Sequence, residues 1–170
     1  HQERSRRAGT ENLPAIVGLG CAAERAGRAL AAQAPRRIAA LGDRLLDGLL
    51  ASVPAAHLNG DRALRLAGLV NVRFEGVDGE AVLHELDLAG ITVSTGSACS
   101  AATPGPSHVL MALGLRPEDA HASVRFSLGD GNDDSDVDRI ITTTAAVVER
   151  LRALGESMPH AAERVAGAGA

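Results

Sequence analysis

Three residues in this sequence have types and surroundings suited to chemistry: Cys99, Arg125 and Thr10. Cys99 lies in Gly96-Ser97-Ala98-Cys99-Ser100, with Pro104-Gly105-Pro106 soon after. A run of small residues with few large apolar anchors suits an exposed, pliant loop, where a thiol that ionises is a nucleophile. The residues alone leave that reading level with a second one, a thiol that serves only as a small apolar filler. Arg125 is flanked by Val124 and Phe126 in a segment of strict alternation, with Ser123 and Ser127 on its own face. A planar guanidinium there could hold a carboxylate through two parallel hydrogen bonds, although a solvated strand arginine is the simpler reading of the residues by themselves. Thr10 follows Gly9, and its hydroxyl and the nearby N–H groups suit an anion as well as they suit an ordinary loop before a helix. The other cysteine, Cys21, falls within an apolar helical pattern and is expected to pack in a core.

What the chain lacks also decides something. All 17 basic residues are arginine, and no lysine occurs anywhere in the 170 residues. A guanidinium stays protonated and cannot form a Schiff base, so any chemistry that needs a side-chain amine must find it elsewhere. The net charge of -4 and the dispersed arginines argue against nucleic acid as a partner, and the 1% aromatic content, Phe74 and Phe126, offers no stacking platform. No apolar run approaches the roughly 20 residues that span a bilayer, and the first residues do not have a secretory profile. Two distant cysteines without CxxC spacing indicate neither a zinc site nor a disulfide framework, and a cytoplasmic location follows as the expectation.

Other patterns carry little. Asp130, Asn132 and Asp134 imitate a calcium loop, but Ser135 replaces its glycine and Ile141 its bidentate glutamate, so an acidic cap for a helix is the better account. Gly18-Leu-Gly20 lacks the third glycine and the preceding strand of a dinucleotide fingerprint. His57, His84, His108, His121 and His160 receive no chemical role.

The elements that must position Cys99 and Arg125 follow from periodicity. Asn12 and Pro14 open a helix that reaches about Gln33, and Ile38, Leu41, Leu45, Leu46 and Leu49 mark one face of a second over about 36–51. Val70, Val72 and Phe74 alternate with Asn71, Arg73 and Glu75 in a half-buried strand. Asp78 caps a helix over about 79–89 that Gly90 stops. A short strand is expected over 91–95 and a short helix over 107–113, then a strand over 123–128 and a final helix over about 136–154. The tail after Pro159 is expected to lack structure. The sum is an α/β or α+β fold, about three strands packed with helices.

The segment ITVSTGSACSAATPGPSHVLMALGL resembles the signature of the group I cysteine desulfurases, with the longer catalytic loop of that group between Cys99 and Pro106. Three further stretches match the family in order: QERSRRAGTEN, NVRFEGVDGEAVLHEL and AHASVRFSLG. The chain departs from the family at His1, just before the first stretch, and at Ser5 within it, where glycine is usual. The resemblance implies the C-terminal portion of a fold-type I, pyridoxal-phosphate-dependent transferase. Residues 1–12 would end its large domain, 13–34 would be the connecting helix, 35–155 the small domain with the cysteine loop at 96–106, and 156–170 a tail.

It also implies roles. Cys99 would take the sulfur of L-cysteine as a persulfide, leaving L-alanine, while pyridoxal phosphate acts as electron sink. Arg125 would bind the substrate carboxylate. Thr10 would reach the cofactor phosphate of the other subunit of a homodimer. The persulfide would pass to an acceptor protein, an iron–sulfur scaffold or a thiolation protein, by a transfer akin to thiol exchange. No metal site and no direct contact with nucleic acid or membrane is implied. A non-enzymatic sulfur relay would not need Arg125 and Thr10, whereas a selenocysteine lyase would share the same loop. Because the chain has no lysine, adding pyridoxal phosphate to it alone is expected to produce no yellow Schiff-base colour. A visible absorbance band from this chain by itself would contradict that reading.

Overall fold

The computed structural model describes residues 8–96 and 105–157, which fall into two compact units divided between Arg37 and Ile38. The first unit is dominated by α1 (Leu13–Ala31). The Asn12 side chain accepts a hydrogen bond from the Ala15 N–H at 3.1 Å, and Pro14 occupies the first turn, where a missing N–H costs nothing. None of the residues of α1 is buried. Leu13, Ile16 and Val17 are more than half exposed, and Cys21, expected in a core, is exposed as well. Spacing by three and four marks an apolar stripe but does not say what covers it, and here the residues of α1 are left open.

The boundary between the units falls inside α2 (Ala34–Ser52), and the second unit contains the core. Its three strands, β1 (Ala56–Leu58), β2 (Leu69–Phe74) and β3 (Ser123–Ser127), form an antiparallel sheet in the order β1-β2-β3. The remaining helices are α3 (Gly79–Leu88), α4 (His108–Ala112), α5 (Pro117–His121) and α6 (Asp134–Ser157). One face of the sheet offers Val70, Val72, Phe74, Val124 and Phe126, all buried. Leu41, Leu45, Leu46 and Leu49 of α2 cluster with them, as do Val82 and Leu86 of α3 and Val137, Val147 and Val148 of α6. The result is an α+β arrangement in which α2, α3 and α6 pack on one face of an antiparallel sheet.

Local chemistry sets the ends of these elements. The Asp78 carboxylate accepts from the N–H groups of Glu80 and Ala81, at 2.7 and 3.2 Å, and so caps α3. At Gly79 any Cβ would lie 2.7 Å from the carbonyl oxygen of His121 and 2.8 Å from that of Ser123, so only glycine lets the start of α3 close onto β3. Gly68, at φ +73°, enters β2 in the left-handed region, where a Cβ would also strike the Leu128 carbonyl at 2.7 Å. The Asp133 carboxylate accepts from the N–H groups of Ser135 and Asp136 at the head of α6, an acidic cap.

Three elements differ from the pattern expected. The stretch 91–95 makes one isolated antiparallel bridge, Ser94 with Arg125, instead of a strand. β1 is three residues long, too short for alternation to be seen. α5 is little more than one turn, with Pro117 at its start and Glu118 and Asp119 in its first turn. The expected tail lies outside the described residues.

Phe74 is fully buried against this core. Phe74→Ala is expected to cost about 3–5 kcal/mol in denaturant unfolding, whereas Ile16→Ala on exposed α1 should stay within about 0.5 kcal/mol. Equal losses from the two would contradict the assignment of the core.

Candidate active site

The face of the sheet turned away from α2, α3 and α6 is polar. His57 is aligned with Arg73, and Arg73 in turn with Ser123. In the next row Asn71 is aligned with Arg125. The Asn59 N–H donates to the Asn71 carbonyl at 2.9 Å, carrying the β1 alignment one residue further. On the other side of β3, the Arg125 N–H donates to the Ser94 carbonyl at 2.6 Å, and the Ser94 N–H donates to the Arg125 carbonyl at 3.1 Å. Asn59, Asn71, Arg125 and Ser94 therefore stand in one row across four segments.

Arg125 is half-buried, and its Nε is buried without a hydrogen-bond partner among the described residues. Other arginines of this unit are engaged. Arg65 pairs with Asp43, and Arg62 makes two hydrogen bonds to Asp47, at 2.6 and 2.8 Å. Arg116 holds Asp119 at 2.9 Å, and that hydrogen bond keeps the Asp119 carboxyl below the usual carboxylate range. A partly buried guanidinium with unspent donors is poised to receive an anion, most simply a carboxylate that fits its fork.

Ser94 fastens the segment that enters the cysteine loop. Its hydroxyl donates to the Gly96 carbonyl at 2.7 Å, turning the chain just past the bridge. Cys99 follows five residues after Ser94 and, with most of the expected loop 96–106, lies outside the described residues. Five residues of chain span at most about 18 Å. Thr10 belongs to the first unit, where it is exposed beside Gly9, whose φ is +82°. The structure thus joins Arg125 to the bridged segment that leads toward Cys99, and Thr10 is described separately in its own unit.

A buried polar network was not singled out from the sequence. The Asn59 Nδ2 donates to the Asn71 Oδ1 at 2.6 Å and to the Ser123 Oγ at 2.9 Å, and the Ser123 hydroxyl donates to the Asp119 carbonyl at 2.6 Å. Alternation placed Asn71 and Ser123 on the polar face of their strands; Asn59 gave no comparable signal, because the short β1 before it shows no period. Among the described residues no group of three or more His, Cys, Asp or Glu is arranged to hold a metal ion, and no helix is long and apolar enough to cross a membrane.

Comparison with known proteins bears on the family and the fold. A sequence model described as aminotransferase class-V matches residues 1–140. The chain is 47% identical over 153 residues to cysteine desulfurase IscS 1 of Archaeoglobus fulgidus, covering 90% of this chain and 40% of that protein. It is 48% identical over 158 residues to cysteine desulfurase IscS of Methanosarcina thermophila, covering 93% of this chain and 39% of that one. The chain therefore spans about two fifths of the length of these relatives. Among solved structures, a NifS-like protein from Rickettsia africae superposes with a TM-score of 0.74 at 28% identity, over 87% of this chain and 38% of its own. A putative sugar aminotransferase from Streptococcus pneumoniae, 22% identical with a TM-score of 0.51, shares the fold. The chain belongs to the class-V aminotransferase family and is homologous to the cysteine desulfurases within it.

Proposed function

We propose that this chain is the sulfur-accepting portion of a cysteine desulfurase, an enzyme that converts L-cysteine to L-alanine and leaves the sulfur as a persulfide on Cys99. The observation that carries the reading is Arg125: a half-buried guanidinium whose Nε has no partner among the described residues, bonded through its backbone to the segment that leads into Cys99. Arg125 binds the substrate carboxylate and fixes the amino acid so that its thiol is presented to Cys99. The Cys99 thiolate then attacks the substrate sulfur, and the carbon–sulfur bond breaks with its electron pair left on carbon. Protonation of that carbon gives alanine. Transfer of the outer sulfur to an acceptor protein, by thiol exchange, returns Cys99 to the thiolate.

Pyridoxal phosphate, when bound, supplies the electron sink that makes this cleavage accessible. The residues of this chain do not fit as its complete site, because no lysine is present to hold it covalently. That lysine therefore lies outside these 170 residues. Thr10 is the contribution proposed for the first unit. Its hydroxyl, next to the positive-φ backbone of Gly9, would donate to the cofactor phosphate of a partner subunit in a homodimer. A cytoplasmic location is part of the same proposal, supported by two widely spaced cysteines.

In the full-length holoenzyme, Cys99→Ser is expected to abolish persulfide formation and sulfide release while leaving cofactor absorbance intact. Arg125→Ala should raise KM for L-cysteine by roughly a hundredfold, the loss of a charge-assisted contact. Sulfur transfer retained in the Cys99 variant would reject this thiol as the acceptor.

A further inference from the structure

We infer that Asn71 is a second anion-binding residue beside Arg125, donating its side-chain NH2 to the carboxylate that Arg125 holds, with Asn59 and Ser123 as the positioning residues that fix its orientation. The inference rests on the proposed role of Arg125 and adds to it a residue and the orientation of its amide.

The orientation follows from hydrogen bonds whose directions are forced. The Asp119 carbonyl can only accept, so the Ser123 hydroxyl 2.6 Å away spends its single proton there. The Ser123 Oγ is then an acceptor for the Asn59 side chain at 2.9 Å, and the atom facing it must be Nδ2. That same Nδ2 lies 2.6 Å from the Asn71 side chain, so the atom it meets must be Oδ1. Turning either amide over would set donor against donor or oxygen against oxygen. Ser123 is fully buried and Asn59 nearly so, which holds the relay in place.

With its oxygen committed to Asn59, Asn71 presents Nδ2 away from β1. That nitrogen has no hydrogen-bond partner among the described residues and is not sealed from solvent. Arg125 is the residue directly opposite Asn71 on β3, on the same face of the sheet. Side chains so opposed have Cβ atoms about 4.5–5.5 Å apart. The row therefore sets an amide donor beside a guanidinium with unspent donors, and neither is paired with a carboxylate among the described residues. A carboxylate has about four lone-pair sites, more than one guanidinium fork fills, and an amide adds a donor without adding a like charge beside Arg125.

The test uses the full-length holoenzyme and KM for L-cysteine, with thermal unfolding as a control. Asn71→Ala should raise KM roughly tenfold with kcat little changed. Asn71→Asp keeps the side-chain volume and an oxygen for Asn59, but it replaces the free donor with a negative charge. It should raise KM by roughly a hundredfold, more than the alanine variant does. Aspartate would also pair with Arg125 whatever Asn71 does, so the alanine variant carries the discrimination: a merely structural Asn71 predicts a lowered unfolding temperature with KM unchanged. An unchanged KM in Asn71→Ala would overturn the inference while Arg125→Ala still weakens cysteine binding. If Arg125→Ala leaves KM unchanged, the reading beneath it fails and this inference falls with it. Should Asn71→Asp not fold, Asn71→Ala alone decides between a raised and an unchanged KM.

Discussion

The register of β2 against β3 is the constraint on which the rest depends. Side chains alternate with a period of two, so a slip of one residue would carry every side chain to the opposite face. In the observed register Val70, Val72 and Phe74 meet Val124 and Phe126 in the core, while Asn71 and Arg125 stand opposite one another on the outer face. Burying five large apolar side chains stabilises by about 1.5–3 kcal/mol each relative to exposure, far more than the polar row itself can contribute. The core therefore specifies where the guanidinium goes. The same strand then accepts Ser94 along its free edge at Arg125, so the chain segment that leads to Cys99 is registered against the same residue.

That division of labour explains what could be read in advance. Strong alternation at 70–74 and 123–128 and the leucine stripe of α2 are properties of the sequence that survive folding, because each serves one large apolar surface. The cap at Asp78 and the turn at Gly90 were legible because each depends on neighbours only two or three residues away. β1 was not legible: three residues have no period, and β1 exists because β2 offers it an open edge. The stretch 91–95 failed in the opposite way. Its composition suits a strand, yet only Ser94 finds a partner before the chain turns at Gly96.

The site was legible in part. Arg125 was marked by its face of β3, whereas the relay through Asn59, Ser123 and Asp119 joins residues up to 64 positions apart and depends on tertiary contact. Cys21 shows the limit of helical spacing from the other side. The stripe on α1 is real, but the residues it comprises are exposed. The absent lysine, by contrast, needed no structure at all. A covalent cofactor anchor is a matter of residue type, and none of the 17 basic residues can provide it.

The most direct test is where the sulfur goes. The full-length holoenzyme, given one turnover of L-cysteine, blocked with an alkylating reagent and digested, should carry an added sulfur atom on the peptide that contains Cys99, with the Cys21 peptide alkylated but carrying no added sulfur. Alanine formed in that turnover with the added sulfur on Cys21, or on neither peptide, would contradict the account.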